Sequence, residues 1–598
     1  MGGIQTSNIG GSLTVPAGSS TTYTITGTSG LDAASSLPFV LPLPKIEQVK
    51  WQRVELSAFF HFGINTFTDL EWGSGTESPS LFQPTELNVK QWVTTVKEAG
   101  ILRAILVVKH HDGFCLWPSK FSEHSVKNSP WKSGQGDVVA EFTEAAHAAG
   151  IQVGIYLSPW DRHESTFGTK AYNTFYKNQL TELLTNYGRI DEVWFDNAGS
   201  ENQDYDWSGF YELIYRLQPN ALIAVQGPDI RWVGNEDGIA PIGETSVQSV
   251  GGIPTWYPSE SDVSIRPGWF YHQSENNLLK PLDQLLDIYF KSVGRNSTLL
   301  LNIPPDSRGL LADADISRLK ELSVAIRESF ATNLSLGKTI HASGIYRQMP
   351  SFAPEMAVDD RLDTYWAADD GSSSGRIEID LGTPLEFNLI SLREPIELGE
   401  RTTSFRVEAE LTGQWKTIAT GSTIGQRTIL GLNAITAQKI ALVVVSSRGI
   451  PALAELGIYK TPHFSTFASS SLLSHKAVIA SVVHPAGTVY GGDKAIDDDQ
   501  NTRWATPDGT KSAYLEVDLG QSEALGKMEI YEFEPRIAKF QLQYRVTSSD
   551  PWSVAFSGSS AGKAYKTTFP SVTARYVRLN ISDAVDSPTI WEFRVFAP

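Results

Sequence analysis

Two carboxylates stand out for where they fall in the chain. Asp196 closes the apolar run Glu192–Phe195, and Glu236 follows the polar stretch Arg231-Trp232-Val233-Gly234-Asn235. A carboxylate at the end of a strand is rigidly held, which suits a nucleophile. One on a polar loop can reach a leaving group, which suits a general acid/base. Hydrolysis of a glycosidic bond needs such a pair astride the bond that breaks. Other short apolar runs end in groups of the same kind. Ala58-Phe59-Phe60 leads into His61-Phe62-Gly63, Ala104–Val108 into Lys109-His110-His111-Asp112-Gly113, and Val153–Leu157, which carries Tyr156, into Ser158-Pro159-Trp160. Carboxylates, histidines and tryptophans gathered behind successive strands describe a site for a sugar. Two further glutamates, Glu244 and Glu260, lie close enough in sequence to compete with Glu236 for the acid/base role.

Each of these residues also has a plainer reading. A lone aspartate after a strand is more often a helix cap than a nucleophile, and His61 and His110 could be satisfied core histidines. The adjacent His110 and His111 do not read as zinc ligands, because neighbouring side chains diverge and no third ligand has metal-site spacing. Asp112-Gly113 reads as a turn, and Cys115 as a small buried hydrophobe.

The elements that must position these groups follow from periodicity. From 45 to 335, short apolar runs alternate with helical patterns at 88–99, 137–149, 170–187, 207–218 and 317–332. In the second, Val138, Val139, Phe142, Ala145, Ala146 and Ala149 keep helical spacing and Gly150 stops the helix. Strand–helix alternation over this length predicts a (β/α)8-type, TIM-like barrel, whose active site forms at the C-terminal ends of its strands. A doubly wound sheet is the rival, but no glycine-rich phosphate loop follows an early strand.

After 335 the pattern is all-β and repeats itself. Ala357, Asp359-Asp360, Thr364, Trp366-Ala367, Asp370-Gly371, Glu378 and Asp380-Leu381-Gly382 recur at a constant offset of 138 positions, from Ala495 to Gly520. Two copies of one domain are implied, read as jelly-roll β-sandwiches over 336–460 and 475–598, with Trp366 and Trp504 in their cores. A linker rich in Pro, Ser and Thr covers 461–474, and 1–44 is a Ser/Thr/Gly-rich segment with an extended connector. The fold class is therefore α/β plus all-β.

HFG at 61–63, EWG at 71–73, KHHDGF at 109–114, WFD at 194–196, RWVGNE at 231–236 and DVSIRPGWFYH at 262–272 resemble glycoside hydrolase family 29, the α-L-fucosidases. GPDIRW at 227–232 and SIRPGWFYH at 264–272 resemble the subfamily that removes fucose linked α1,3 or α1,4 on Lewis-type glycans. The resemblance implies Asp196 as nucleophile and Glu236 as acid/base, with Glu244 and Glu260 as alternatives. It implies fucose contacts for His61, Glu71, Trp72, His110, His111, Tyr156, Trp194, Arg231 and Trp269, the last against the fucose methyl. It also implies a retaining mechanism, with carboxyl groups about 5–5.5 Å apart, and neither metal nor organic cofactor in catalysis. The repeats resemble discoidin-like modules of the coagulation factor 5/8 C-terminal type, which include family 32 carbohydrate-binding modules. There, Asp359-Asp360 and Asp497-Asp498 fall where such modules hold a structural calcium, turn-forming aspartates being the equal alternative.

Composition narrows the partners. A net charge of −18 argues against nucleic acid or an anionic membrane. No apolar run reaches the roughly 20 residues that span a bilayer, and one cysteine excludes an intrachain disulfide. The start, Met1-Gly2-Gly3-Ile4, lacks the features of a signal peptide. A secreted or periplasmic location is expected on function alone, the signal having been removed. The expected partner is a fucosylated oligosaccharide or glycoconjugate. The competing readings are a broad α-L-fucosidase acting on 1,2- or 1,6-linked or aryl fucosides, and a non-catalytic glycan-binding protein.

Overall fold

Leu56–Phe60 (β1) and Arg103–Lys109 (β2) are buried at every position, as strands covered on both faces must be. They belong to a computed structural model that describes residues 37–196, 198–199, 202–463, 471–474, 476–497 and 502–597. The expected segment 1–36, part of the linker and Asp498 lie outside the described residues. Six more parallel strands follow: Gln152–Leu157 (β3), Glu192–Phe195 (β4), Leu222–Val225 (β5), Arg231–Trp232 (β6), Ser259–Ser264 (β7) and Thr298–Asn302 (β8). Their order in the sheet is β5-β4-β3-β2-β1-β8-β7-β6. Every strand thus lies beside its neighbour in sequence, and the ends meet through a parallel bridge between Ala224 and Ile230. The result is a nearly closed TIM-like barrel.

Helices cover it: Val89–Glu98 after β1, Val138–Ala149 after β2, Lys170–Asn186 after β3, Trp207–Leu217 after β4, Leu282–Ser292 after β7 and Asp313–Ser329 after β8. The second shows why they form. Val138, Val139, Phe142 and Ala146 are buried, Asp137 accepts from Ala140 N as an N-cap, and Gly150 ends the helix with φ of 72°. No helix separates β5 from β6, and a hairpin of Val247–Val250 and Ile253–Trp256 stands between β6 and β7.

Neither β6 nor β7 is an apolar run, so periodicity does not predict them. The sequence of β7, Ser-Glu-Ser-Asp-Val-Ser, is almost wholly polar, yet all six residues are buried. Most of the polar groups are paired, and Glu260, whose Oε1 is buried without a partner, has its carboxyl pushed well above the usual range by burial. Ser259 and Ser261 bond the Ser297 hydroxyl at 3.0 Å, Glu260 accepts from Trp194 Nε1 at 2.9 Å, and Asp262 accepts from Trp232 Nε1 at 2.7 Å. Every partner lies on another element, so nothing local marks the strand.

The barrel and the first sandwich make one compact unit, and the second sandwich makes another. In the first sandwich the sheet runs Thr339–Ala342, Gly375–Arg393, Thr428–Ser447, Thr402–Leu411, Gln414–Gly421. It is tied to the barrel by Glu55, whose carboxylate meets Arg393 Nη2 and Arg427 Nη1, each at 2.5 Å. The second sandwich repeats the pattern about the long strands Ala513–Glu532 and Ala564–Ala584. Trp366 and Trp504 are both fully buried. Their indole nitrogens donate to equivalent carbonyls, Gly344 O at 3.0 Å and Val482 O at 2.9 Å.

Asp359 and Asp497, each expected at a calcium or in a turn, make turn bonds. Asp359 accepts from Arg361 N at 3.1 Å and from Thr364 Oγ1 at 2.7 Å, and Asp497 accepts from Thr502 Oγ1 at 2.7 Å. Among the described residues no group of three or more His, Cys, Asp or Glu side chains could hold a metal ion. No described helix is long and apolar enough to cross a membrane.

Candidate active site

A pocket of about 260 Å3 opens at the C-terminal ends of the barrel strands. Its walls come from successive strands and the loops after them. Phe59 and His61 come from the end of β1, His110 and His111 from beyond β2, Tyr156 from β3, and Trp194 and Asp196 from β4 and its end. Val225, Trp232, Glu236, Asp262 and Trp269 complete it from the seam side, and Trp72 and Ala198 from loops at the rim.

Asp196 is held from two directions. Oδ2 accepts from the Tyr156 hydroxyl at 2.7 Å, and Oδ1 from the Ala198 amide at 2.9 Å. Burial, with the Asp196 charge beside it, pushes the Tyr156 phenol well above its usual range, so it remains a donor.

The histidines are neutral acceptors, and their surroundings say at which atom. Asn302 Nδ2 donates to Ser264 Oγ and to the Trp269 carbonyl, which turns Oδ1 toward His61 Nδ1 at 2.8 Å. Nδ1 therefore carries the proton and Nε2 is left bare. Ser158 gives its hydroxyl proton to the Trp160 carbonyl, so its oxygen accepts from His111 Nδ1 at 2.8 Å. Again Nε2, which lies 3.8 Å from Asp196 Oδ2, is bare. Burial pushes both rings down to about 4. Burial, with His111 and His61 as neighbours, holds His110 well below the usual range, and its Nδ1 is buried without a hydrogen-bond partner. Unprotonated imidazole nitrogens around a small pocket accept hydrogen bonds from the hydroxyls of a neutral polyol.

Glu236 stands at the exposed rim, where Trp269 Nε1 donates to its Oε2 at 3.3 Å. Desolvation raises its carboxyl above the ordinary range, the Trp269 bond opposes this, and the Asp196 charge adds to it. A raised carboxyl facing a fixed carboxylate is the arrangement of a proton donor beside a nucleophile.

Of the residues singled out in the sequence, His61, Trp72, His110, His111, Tyr156, Trp194, Asp196, Glu236 and Trp269 line this pocket. Four do not. Glu71 accepts from the backbone amides of Trp269 at 2.9 Å and Phe270 at 3.1 Å, and from His272, so it holds the segment carrying Trp269. Arg231 pairs with Glu244, and the guanidinium also donates to the Tyr257 carbonyl. Glu260 is buried inside the barrel against the Trp194 indole. Neither Glu244 nor Glu260 therefore stands where an acid/base would meet a leaving group. Trp232 and Asp262 were missed as pocket residues, although both sit in motifs already noted. Burial, with Glu236 and Asp196 as neighbours, pushes Asp262 up to about 7.

Residues 47–326 match a family model described as alpha-L-fucosidase. Residues 339–456 match the F5/8 type C domain, and 494–579 a NedA-like, galactose-binding domain. Alpha-L-fucosidase 1 of Arabidopsis thaliana is 44% identical over 446 residues, covering 70% of this chain and 88% of that protein. A putative alpha-L-fucosidase from Bacteroides thetaiotaomicron, solved as a crystal structure, is 38% identical with a TM-score of 0.69, covering 72% of this chain and all of that one. A Ruminococcus gnavus GH29 fucosidase, solved in complex with fucose, is 33% identical with a TM-score of 0.68, covering 71% and 96% of the two chains.

Proposed function

This chain belongs to the alpha-L-fucosidases of glycoside hydrolase family 29 and releases fucose, and from that premise we propose a double displacement that retains configuration at the anomeric carbon. Asp196 attacks C1 of the fucosyl residue as the bond from C1 to the glycosidic oxygen breaks. Glu236 gives its proton to that oxygen, and the aglycone leaves as an alcohol. In the second step Glu236 takes a proton from water, the water oxygen bonds C1, and the Asp196 ester is released as carboxylate.

The observation that carries this reading is the fixed Asp196 carboxylate, bonded by Tyr156 and Ala198, facing a pocket that also holds the raised carboxyl of Glu236. His61, His110 and His111 accept from the fucose hydroxyls, and Trp269 covers the methyl. The substrate class we propose is the α1,3- or α1,4-linked fucose of Lewis-type glycans, supported by the 227–232 and 264–272 motifs. Such glycans lie outside the cytoplasm, which supports a secreted or periplasmic location.

The test is fucose release from Lewis a and Lewis x trisaccharides, 2′-fucosyllactose and an aryl fucoside, with the wild type and D196A. Fast release from the Lewis sugars, lost in D196A with fucose binding kept, supports the reading. Turnover persisting in D196A refutes the nucleophile. A preference for 2′-fucosyllactose or the aryl fucoside refutes the linkage, and proton NMR showing β-fucose as first product refutes retention.

A further inference from the structure

The strand that leads to Glu236 is the shortest in the barrel. β6 is two residues long and joins β7 through the registers Arg231↔Ser259 and Trp232↔Glu260. Its backbone bonds there are Arg231 N to Pro258 O and Val233 N to Glu260 O, each 2.9 Å. On its other side a bridge between Ala224 and Ile230 closes the seam. No helix packs behind it in sequence, since β5 runs almost directly into β6. Backbone pairing this short does not by itself fix a loop four residues further on.

Side chains add what the backbone lacks. Trp232, on β6, donates its indole proton to Asp262 on β7 at 2.7 Å. Trp269, on the loop after β7, donates its own to Glu236 on the loop after β6 at 3.3 Å. The two bonds run in opposite directions across the same seam, and all four side chains line the pocket. Asp262 is 3% exposed, so the lower bond is sheltered from water while the upper one, at the rim, is not. The titratable groups that face Asp262 are Glu236 and Asp196, with Glu260 two residues back on its own strand.

We propose that Asp262 is the positioning residue for Glu236: by holding Trp232 it locks β6 onto β7 and so sets the loop that brings the Glu236 carboxyl to the glycosidic oxygen. The inference rests on the reading of Glu236 as the acid/base. Asp262 touches neither the leaving group nor the nucleophile in this role. It acts through the indole, and an amide oxygen in its place accepts the same bond.

The experiment compares kcat/KM for D262A, D262N, W232F, the double variant D262A/W232F, and E236Q. One substrate is 4-nitrophenyl fucoside, whose phenolate leaves without a proton. The other is Lewis a trisaccharide, or 2′-fucosyllactose if the wild type prefers it, whose sugar cannot. D262A is expected to lose about 10- to 100-fold more on the oligosaccharide than on the aryl fucoside, the span of one buried hydrogen bond. D262N recovers most of the loss, W232F reproduces it, and the double variant is no worse than the worse single one. Equal losses on both substrates in D262A, a D262N as damaged as D262A, or additive losses in the double variant would each overturn the inference. E236Q separates the two levels. If it keeps the aryl fucoside and loses the oligosaccharide while D262A does not, only the role of Asp262 falls. If E236Q loses both alike, the acid/base reading falls and takes the inference with it.

Discussion

Replacing Glu55 by Gln tests whether the first sandwich is part of the catalytic unit or an appendage to it. Glu55 is a largely covered carboxylate, its side chain 14% exposed, between Arg393, equally covered, and the buried Arg427, each 2.5 Å away, with the Tyr289 hydroxyl at 3.2 Å. Burial alone would raise its carboxyl, but the two guanidiniums hold it below the usual range. Gln keeps the shape and removes the charge, which leaves two cations, one buried and one largely covered, without their shared counter-ion. Breaking a buried pair in this way costs about 3–5 kcal/mol. In a unit of this size each kcal/mol moves Tm by about 1–2 °C, so calorimetry of the full chain should show a fall of about 3–10 °C. R427M should cost much less, because Arg393 and Glu55 then remain as a neutral pair and the methionine still covers Phe330, over which the guanidinium lies at 4.3 Å. The sign of the pH dependence follows from the lowered carboxyl. The contribution of Glu55 is full above its unfolded titration near 4.5 and is lost only as pH falls through the lower folded value. A Tm that falls by less than about 1 °C in E55Q, or falls more in R427M than in E55Q, would refute the reasoning.

Tyr156→Phe removes one of the two bonds to Asp196, so kcat/KM should fall about 10- to 100-fold on the aryl fucoside as well as on oligosaccharides, since in the proposed mechanism both react through Asp196. Steady-state assays with the two substrates check this. Trp269→Phe removes a bond that lowers Glu236; the acid must be protonated to act, so the alkaline limb of kcat/KM should move up by less than about one pH unit, the exposed rim screening the effect. A limb that stays or moves down contradicts the bond. His61 and His111, held down to about 4, keep their bare nitrogens until the pH approaches that value. The inhibition constant of fucose should therefore rise steeply below about pH 4–5. Between about 6.5 and 4 the unfolded chain binds the extra protons, so stability falls across the same window, which thermal melts at stepped pH would follow.

Part of the candidate site was legible because the barrel puts chemistry at strand ends. Asp196, His61, His110, His111 and Tyr156 each sit at the end of an apolar run or just beyond it, and such a run is a local signal. The helix Val138–Ala149 was legible for the same reason, down to its cap and its terminal glycine. The two sandwiches were legible because an internal repeat is self-evident once an offset of 138 is tried. What failed was anything whose justification lies elsewhere in the chain. β7 can be polar because Ser297, Trp194 and Trp232 take up most of its side-chain groups, and no window of sequence contains those partners. Glu71 and Arg231 have the residue types of sugar ligands, yet one is occupied by the amides of 269 and 270 and the other by Glu244.

The sequence by itself determined the local periods, the breaks between elements, the duplicated domain and the residue types at the strand ends, because each depends on neighbours within a few positions or on plain repetition. The tertiary structure alone decided which carboxylates face one another. Glu236, Glu244 and Glu260 are the same side chain on one stretch of chain. Only the closure of β6 onto β7 sends the first to the rim, the second into an ion pair and the third into the barrel, because burial and charge pairing are set by distances through space.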